Sequence, residues 1–263
     1  MITVSSLQIE QWIGAFFWPF VRILAFLSTA PVFSATQIPI QVRVGLAVVI
    51  SVALAPALPA MPPVDFLSGG GLLLLLEQIL IGTALGFAVT LIFSAVQFAG
   101  SVISLQMGLG FSTFFDPLTG VQVPTLANFL NLIVLLLFLS LNGQLLTLAV
   151  LDRSFTILPV SSQLVLHGAA WQSLANAGGM IFALGLAIAA PVLGALLLIN
   201  VSLAVLSKLA PQLNLFVIGF PLLIAVGFVA LALVMPAMEL LVQHLLQLSL
   251  RLSNTLLLQA ARG

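Results

Sequence analysis

The sequence is 263 residues long, with 62 % hydrophobic and only 5 % charged residues, and its six basic residues balance six acidic ones. A mean hydropathy of +1.33 lies far above the range of soluble globular chains and is typical of a polytopic membrane protein. The sparse, balanced charge argues against a nucleic-acid partner, and the absence of cysteine excludes disulfides, thiol nucleophiles and thiolate metal sites.

Apolar runs long enough to span a membrane, at about 20 residues per crossing, follow one another along the chain. They occupy residues 12–34, 44–60, 71–105, 126–151, 177–206 and 215–250. We therefore predict an all-α fold of about six long hydrophobic helices. Trp12, Trp18 and Trp171 flank the first and fifth runs, as is typical of residues at the membrane interface.

One basic and two acidic side chains lie inside apolar runs. Arg22 is in the first run, Glu77 in the third and Glu239 in the last. A charge facing lipid is costly, so these side chains are candidates for intersubunit or intramembrane contacts. For Arg22 and Glu239, snorkelling to the interface and a salt bridge to another subunit are the simpler alternatives. For Glu77, a proton relay is a further alternative.

The third run contains no proline and a single charge, which predicts one continuous helix of about 50 Å at 1.5 Å per residue. This length exceeds the hydrocarbon core of about 30 Å. Gly82 and Gly86 form a small-residue face that Ala95 and Ala99 continue. Such a face can pack within the chain or against another subunit.

The connector after this run, 106-QMGLGFSTFFDP-117, is apolar and rich in glycine where a polar turn would be expected. Irregular backbone at membrane depth must be buried in protein or line a cavity. Glycines permit tight turns, proline stops a helix, and Met with three Phe forms a deformable apolar seal. We therefore predict a re-entrant plug, the alternative being a loop packed on its own helices. The predicted plug residues are Gln106, Met107, Gly108, Gly110, Phe111, Phe114, Phe115, Asp116 and Pro117.

The last two runs are joined by 207-SKLAPQLN-214, which predicts a helical hairpin over 177–250. Lys208 is the only lysine of the chain, and Pro211, Gln212 and Asn214 complete this polar connector. Pro221 and Pro236 predict a kink or a break in the final run.

Catalytic chemistry has no visible basis in the sequence. The two histidines, His167 and His244, lie far apart, and neither has a second ligand at metal-binding spacing. No nucleophile elbow, P-loop or dinucleotide fingerprint occurs. We expect no enzyme activity, no metal and no cofactor.

Three segments together resemble the FliR family of flagellar biosynthetic proteins, whose injectisome counterparts are the T subunits of the type III secretion export apparatus. They are 106-QMGLGFSTFFDP-117, 138-FLSLNGQLLTL-148 and 208-KLAPQLNLFVIGFPL-222, and the resemblance covers essentially the whole chain.

The resemblance implies a structural, gating subunit of the flagellar export-gate channel in the bacterial inner membrane, at the flagellar basal body. Its partners would be FliP and FliQ homologues, an FlhB homologue at the cytoplasmic entrance, unfolded export substrates and membrane lipid. We predict that Lys208 lies on the cytoplasmic face near this entrance and pairs with an acidic group of a neighbouring subunit. Residues 1–176, with a plug loop at 106–125, would be FliP-like, and residues 177–263 a FliQ-like hairpin. Because the family's complex stands largely above the membrane plane, not every long helix need span the bilayer.

Two other classes of function remain as alternatives. A secondary transporter of a small solute would place a coupling carboxylate, Glu77 or Glu239, among broken helices, and inverted repeats would favour it. An intramembrane enzyme would need paired catalytic groups at matching depth, and the sequence supplies no such pair.

Overall fold

The structure is a computed structural model that describes residues 6–35, 37–58, 68–109, 125–160, 168–210 and 215–261. These residues form helices and contain no strand, which confirms the all-α prediction. The helices are α1 (Ser6–Thr29), α2 (Pro31–Ser34), α3 (Ile40–Leu54), α4 (Gly69–Gln106), α5 (Thr125–Ser140), α6 (Gly143–Ile157), α7 (Gly168–Leu209), α8 (Leu215–Val234) and α9 (Met238–Ala261), with 3-10 turns at Ala55–Ala57 and Met235–Ala237.

Four helical stretches of the described chain are long and apolar enough to cross a membrane, which confirms the polytopic architecture. The pair α5 and α6 adds a fifth only if it counts as one bent span, and Ile13–Thr29 is a shorter apolar helix. The predicted number of six is therefore not reached within these residues. The four stretches are Ile40–Ala57, Gly69–Gln106, Ala170–Leu209 and Ile218–Ala261.

Helix α4 runs without a break for 38 residues, as the absence of proline predicted. At 1.5 Å per residue it is about 57 Å long. This is well beyond the hydrocarbon thickness of about 30 Å, so part of α4 needs protein or water around it rather than lipid.

The prediction of a single helix over 126–151 is wrong. Helices α5 and α6 are separate and meet at an angle of 68°. Asn142, between them, has a φ of 55° and is the only non-glycine residue of the described chain with positive φ. Asn tolerates this left-handed conformation better than most residues because its short polar side chain bonds locally, and it ends the helix that hydrophobicity alone would continue.

The break predicted in the final run is present at Pro236, which lies in the 3-10 turn Met235–Ala237 between α8 and α9. Proline lacks the N–H needed by a continuing helix, so the chain tightens there for one turn. Pro221, by contrast, lies inside α8.

The chain divides into two compact units. Unit 1 comprises Met1–Leu91, Asn142–Gly178 and Leu246–Gly263, and unit 2 comprises Ile92–Leu141 and Gly179–Leu245. Helices α4, α7 and α9 therefore each contribute to both units. The predicted boundary between residues 176 and 177 concerns likeness to FliP and FliQ rather than compactness, and it stays a prediction.

In unit 1, Trp18 is buried against Leu74 and Val160. The prediction of an interfacial position for Trp18 is therefore wrong, because the indole fills a core between helices rather than a surface. Trp171 is exposed, as an interfacial residue would be.

The small-residue face of α4 packs on α1 within unit 1. A Cβ built on Gly82 would lie 2.8 Å from Ala25 Cβ, and one on Gly86 would lie 2.9 Å from Thr29 Cβ. Thr90 Oγ1 also donates to the Thr29 carbonyl oxygen at 3.0 Å. This part of the face therefore serves packing within the chain.

Unit 2 is built on the second part of α4, together with α5, most of α7, all of α8 and the first turns of α9. A Cβ on Gly100 would lie 2.6 Å from Ala127 Cα, and one on Gly185 would lie 2.6 Å from the Phe98 ring. The helices thus approach at glycines and enclose one apolar core. Its buried members are Ala99, Ile103, Met107, Leu126, Ala189, Val192, Leu196, Leu223 and Leu231.

Candidate functional site

Helix α4 ends at the residues that begin the apolar connector. The Met107 N–H still donates to the Ile103 carbonyl oxygen at 2.9 Å, and the Gly108 N–H donates to the Leu105 carbonyl oxygen at 3.0 Å. Gly108 has a φ of 77°, in the left-handed region that glycine enters without a Cβ clash. The chain therefore leaves the helix at a defined residue.

The Met107 side chain is fully buried in the core of unit 2. It lies over Gly227 of α8, where an added Cβ would come within 2.6 Å of Met107 Cγ and 2.7 Å of its Cε and Sδ. These separations are far below van der Waals contact, so the packing of Met107 requires a residue without a side chain at position 227.

The next residue, Gly108, lies against the ring of Phe220, also in α8. A Cβ on Gly108 would be 2.8 Å from Phe220 Cδ1 and Cε1, and Leu109 packs on the same apolar core. The beginning of the connector thus contacts α8 at two consecutive residues, Met107 and Gly108.

The predicted plug residues divide into two groups. Gln106, Met107 and Gly108 are described and form the base of the segment. The others lie outside the described residues, so their part in a plug stays a prediction. They are Gly110, Phe111, Phe114, Phe115, Asp116 and Pro117.

Arg22 of α1 is fully buried in unit 1. Its Nε donates to Gln78 Oε1 at 2.8 Å. Its Nη1 donates to the Ser154 carbonyl oxygen at 3.0 Å and to Ser154 Oγ at 3.2 Å, and its Nη2 donates to the Leu158 carbonyl oxygen at 2.9 Å. A single side chain therefore joins α1, α4 and the end of α6.

Three further features stabilise the buried guanidinium. The Phe155 ring centroid lies 4.4 Å from its central carbon, which is a cation–π contact. The negative charge of Glu77, itself buried, favours the charged form. Leu158 follows the last residue of α6, where carbonyl oxygens lack helical partners and a cation is favourable. Snorkelling is therefore excluded for Arg22, whose polar contacts are made within unit 1.

Glu239 and Lys208 are both exposed. Glu239 lies in the first turn of α9 and accepts a hydrogen bond from Gln243 Nε2 at 3.4 Å. Lys208 lies in the last turn of α7, where its charge is favourable to the helix dipole. Both side chains are accessible to another molecule, and their intersubunit roles stay predictions. The connector residues Pro211, Gln212 and Asn214 lie outside the described residues.

Sequence reasoning missed six residues of these two sites, which are Gln78, Ser154, Phe155, Leu158, Phe220 and Gly227. One signal was available: Gly227 lies seven residues after Phe220 in an apolar run, and a glycine inside a helix often marks a close approach. Gln78 and Ser154 are polar residues with no motif around them, and only the fold brings them to Arg22.

Comparison with known proteins gives one family and a consistent set of relatives. The model of the family described as "Bacterial export proteins, family 1" matches residues 13–249. The chain is 44 % identical over 245 residues to a flagellar biosynthetic protein FliR of Pectobacterium carotovorum subsp. carotovorum, covering 93 % of each chain. It is 43 % identical to the FliR of Escherichia coli K12, again over 93 % of each chain. It is 31 % identical to the FliR of Bacillus subtilis 168, over 92 % of this chain and 94 % of the relative.

Proposed function

This chain belongs to family 1 of the bacterial export proteins, and we propose that it is the structural, gating subunit of the flagellar type III export-gate channel. The identity of 43–44 % to two FliR proteins over 93 % of the chain is the observation that carries this proposal. The long apolar helices agree with a membrane-embedded component, which we place in the bacterial inner membrane at the flagellar basal body.

The partners that we propose are FliP and FliQ homologues, with an FlhB homologue at the cytoplasmic entrance. Large apolar side chains on three helices support an assembly of several subunits. Val49 of α3 is 65 % exposed, Leu198 of α7 is 71 % exposed and Leu233 of α8 is 77 % exposed. Helix surfaces of this kind need lipid or other helices around them. We further propose that residues 1–176 correspond to a FliP-like part and residues 177–263 to a FliQ-like hairpin.

Gating is assigned in this proposal to the apolar segment 106–117. A channel wide enough for an unfolded polypeptide would leak ions when idle, so its closed state needs a seal that excludes water yet parts for varied cargo. Apolar contacts are non-directional and meet both needs. The fixed base of the segment, with Met107 buried and Gly108 turning the chain, supports this role because a plug must start from a stable point.

The role proposed for the chain is structural rather than catalytic. The two carboxylates that a secondary transporter could use lie in different surroundings. Glu77 is buried and interacts electrostatically with Arg22, whereas Glu239 is exposed. No observation on either carboxylate favours a solute site over the export channel.

The plug is tested by removing its apolar side chains in a chain that is co-produced with FliP and FliQ homologues. Deletion of residues 110–116, or the pair Phe111→Ala and Phe114→Ala, should leave the complex assembled and raise its passive leak of ions or small dyes. Phe129→Ala, which truncates an exposed phenylalanine of α5, is the matched control and should leave the leak unchanged. A deletion that assembles and does not leak would show that another element closes the pore.

A further inference from the structure

We infer that Met107 and Gly227 are positioning residues, which seat the beginning of the plug segment on helix α8 so that α8 fixes where the plug starts. The gating role of the plug segment, residues 106–117, rests on the proposed function. The seat itself is a separate structural statement about Met107, Gly108, Phe220 and Gly227.

The two contacts of the seat lie on one face of α8. Phe220 and Gly227 are seven residues apart, which is about two helical turns or roughly 10 Å along the axis. Leu223 and Leu231 of the same helix are buried in the same core. Two consecutive residues of one chain, Met107 and Gly108, therefore meet α8 at two points on its buried face. Contacts at two points hold the end of α4 against rotation as well as translation.

Gly227 is present for space rather than for backbone conformation. The only glycine with positive φ among the described residues is Gly108, so the backbone at position 227 would accept other residues. Glycine is a poor helix former and weakens the interior of α8. The Met107 atoms at 2.6–2.7 Å from the position of an added Cβ supply the reason for its presence. Gly194 of α7 differs, since no atom lies within 4 Å of a Cβ built there.

Methionine suits this seat because its unbranched thioether can follow the narrow gap over a glycine. A β-branched side chain at position 107 would be wider next to its own backbone, where it faces Gly227 of α8. The fit between α8 and the end of α4 therefore depends on both residues, the long flexible side chain of Met107 and the lack of a side chain at Gly227. A substitution at one position should be partly compensated by a substitution at the other.

The experiment uses the full chain in its complex with FliP and FliQ homologues and measures passive leak and cargo export together. Gly227→Ala should raise the leak several-fold while the complex still assembles, because the added methyl group displaces Met107. Met107→Ala should also raise the leak. The double variant Gly227→Ala with Met107→Ala should leak less than Gly227→Ala alone, because the shortened side chain makes room. Gly194→Ala is the matched control and should behave like the unmodified chain.

A second measurement does not depend on tolerance of the alanine variants. The chain contains no cysteine, so the pair Met107→Cys and Gly227→Cys can form only one disulfide within it. Oxidation should cross-link this pair in the assembled complex, and the pair Met107→Cys and Gly194→Cys should stay unlinked.

The outcomes separate the seat from the proposed function. If deletion of residues 110–116 raises the leak while Gly227→Ala and Met107→Ala do not, the seat is wrong and the plug stands. Additive leak in the double variant, or no cross-link between positions 107 and 227, would also overturn the seat. If the deletion causes no leak but the cross-link between positions 107 and 227 forms, the seat stands and the gating role of the segment falls.

Discussion

Replacement of Arg22 by methionine tests whether the buried guanidinium holds unit 1 together. Methionine has similar length and fits an apolar core, so the substitution mainly removes charge and hydrogen-bond donors. Gln78 Oε1 and the carbonyl oxygen of Leu158 would then lose the donor that the structure gives them. The Glu77 carboxylate would lose its electrostatic attraction to the positive charge of Arg22.

The expected loss follows from the number and kind of these contacts. Four hydrogen bonds from one charged group reach Gln78, Ser154 and Leu158. Each would contribute about 1.5–3 kcal/mol by itself, but burial of the guanidinium offsets much of the sum. Removal of one member of a buried charged cluster costs about 3–5 kcal/mol, because its partners stay buried without compensation. We expect a loss in this range for Arg22→Met. Arg22→Lys should lose less, since an amine keeps the charge but does not reproduce the planar fork.

The assay is thermal unfolding of the assembled complex in detergent, followed by tryptophan fluorescence. Trp18 is buried in unit 1 and reports on that core. At about 2–4 °C per kcal/mol for a chain of this size, the expected fall in Tm for Arg22→Met is roughly 6–20 °C.

The matched control is Arg43→Met. Arg43 is only half-buried and makes one hydrogen bond of ordinary length, from Nε to the Phe33 carbonyl oxygen at 3.0 Å. We expect it to lose about 1 kcal/mol. If Arg22→Met unfolds at the same temperature as the unmodified chain, or no lower than Arg43→Met, the cluster does not hold α1, α4 and α6 together and the reasoning fails.

Two further substitutions test packing and surface charge. Gly86→Ala should lower the free energy of unfolding by about 1–3 kcal/mol, because the added methyl group overlaps Thr29; Gly45→Ala, in open space, should not lower it, and the same melting experiment compares them. Lys208→Glu should reduce export and lower the free energy of unfolding by only about 1 kcal/mol, since Lys208 is exposed and loses only its interaction with the helix dipole. An opposite reversal on an acidic residue of a partner should restore export. Labelling of a cysteine introduced at position 208 only from the periplasmic side would contradict the proposed place of Lys208 at the cytoplasmic entrance.

Several features of the fold follow from local sequence. The length of α4 follows from the lack of proline over residues 71–105, and the turn at Pro236 follows from the missing N–H of proline. The close approach at Gly82 and Gly86 follows from their spacing, although the partner does not. The spacing predicts that one face of the helix carries small residues, but only the fold shows that α1 of the same chain packs against that face.

Other features depend on contacts between distant residues. Hydrophobicity over 126–151 is continuous, so the bend at Asn142 is decided by one backbone conformation rather than by the apolar pattern. Arg22 and Ser154 are 132 positions apart, and nothing local to either predicts their hydrogen bond. For the candidate site, sequence identified Met107 and Gly108 as the base of an apolar connector. It did not identify Gly227, because the role of a glycine inside a helix depends on the side chain that packs against it, here Met107.

The division of unit 1 among three stretches of chain affects the order in which it can be completed during synthesis. Its first stretch ends at Leu91, and its last does not begin until Leu246. Ser173 Oγ donates to Gln259 Oε1 at 2.7 Å, and Ile81 and Leu257 line the same apolar cavity. Because a ribosome releases the N-terminal end first, the part of α4 that lines this cavity must wait for the final helix before its packing is complete. During synthesis, apolar side chains near the N-terminal end of the chain therefore stay uncovered until α9 has been made. Truncation of the chain by a few helical turns at its C-terminus would leave the packing of these early residues incomplete as well.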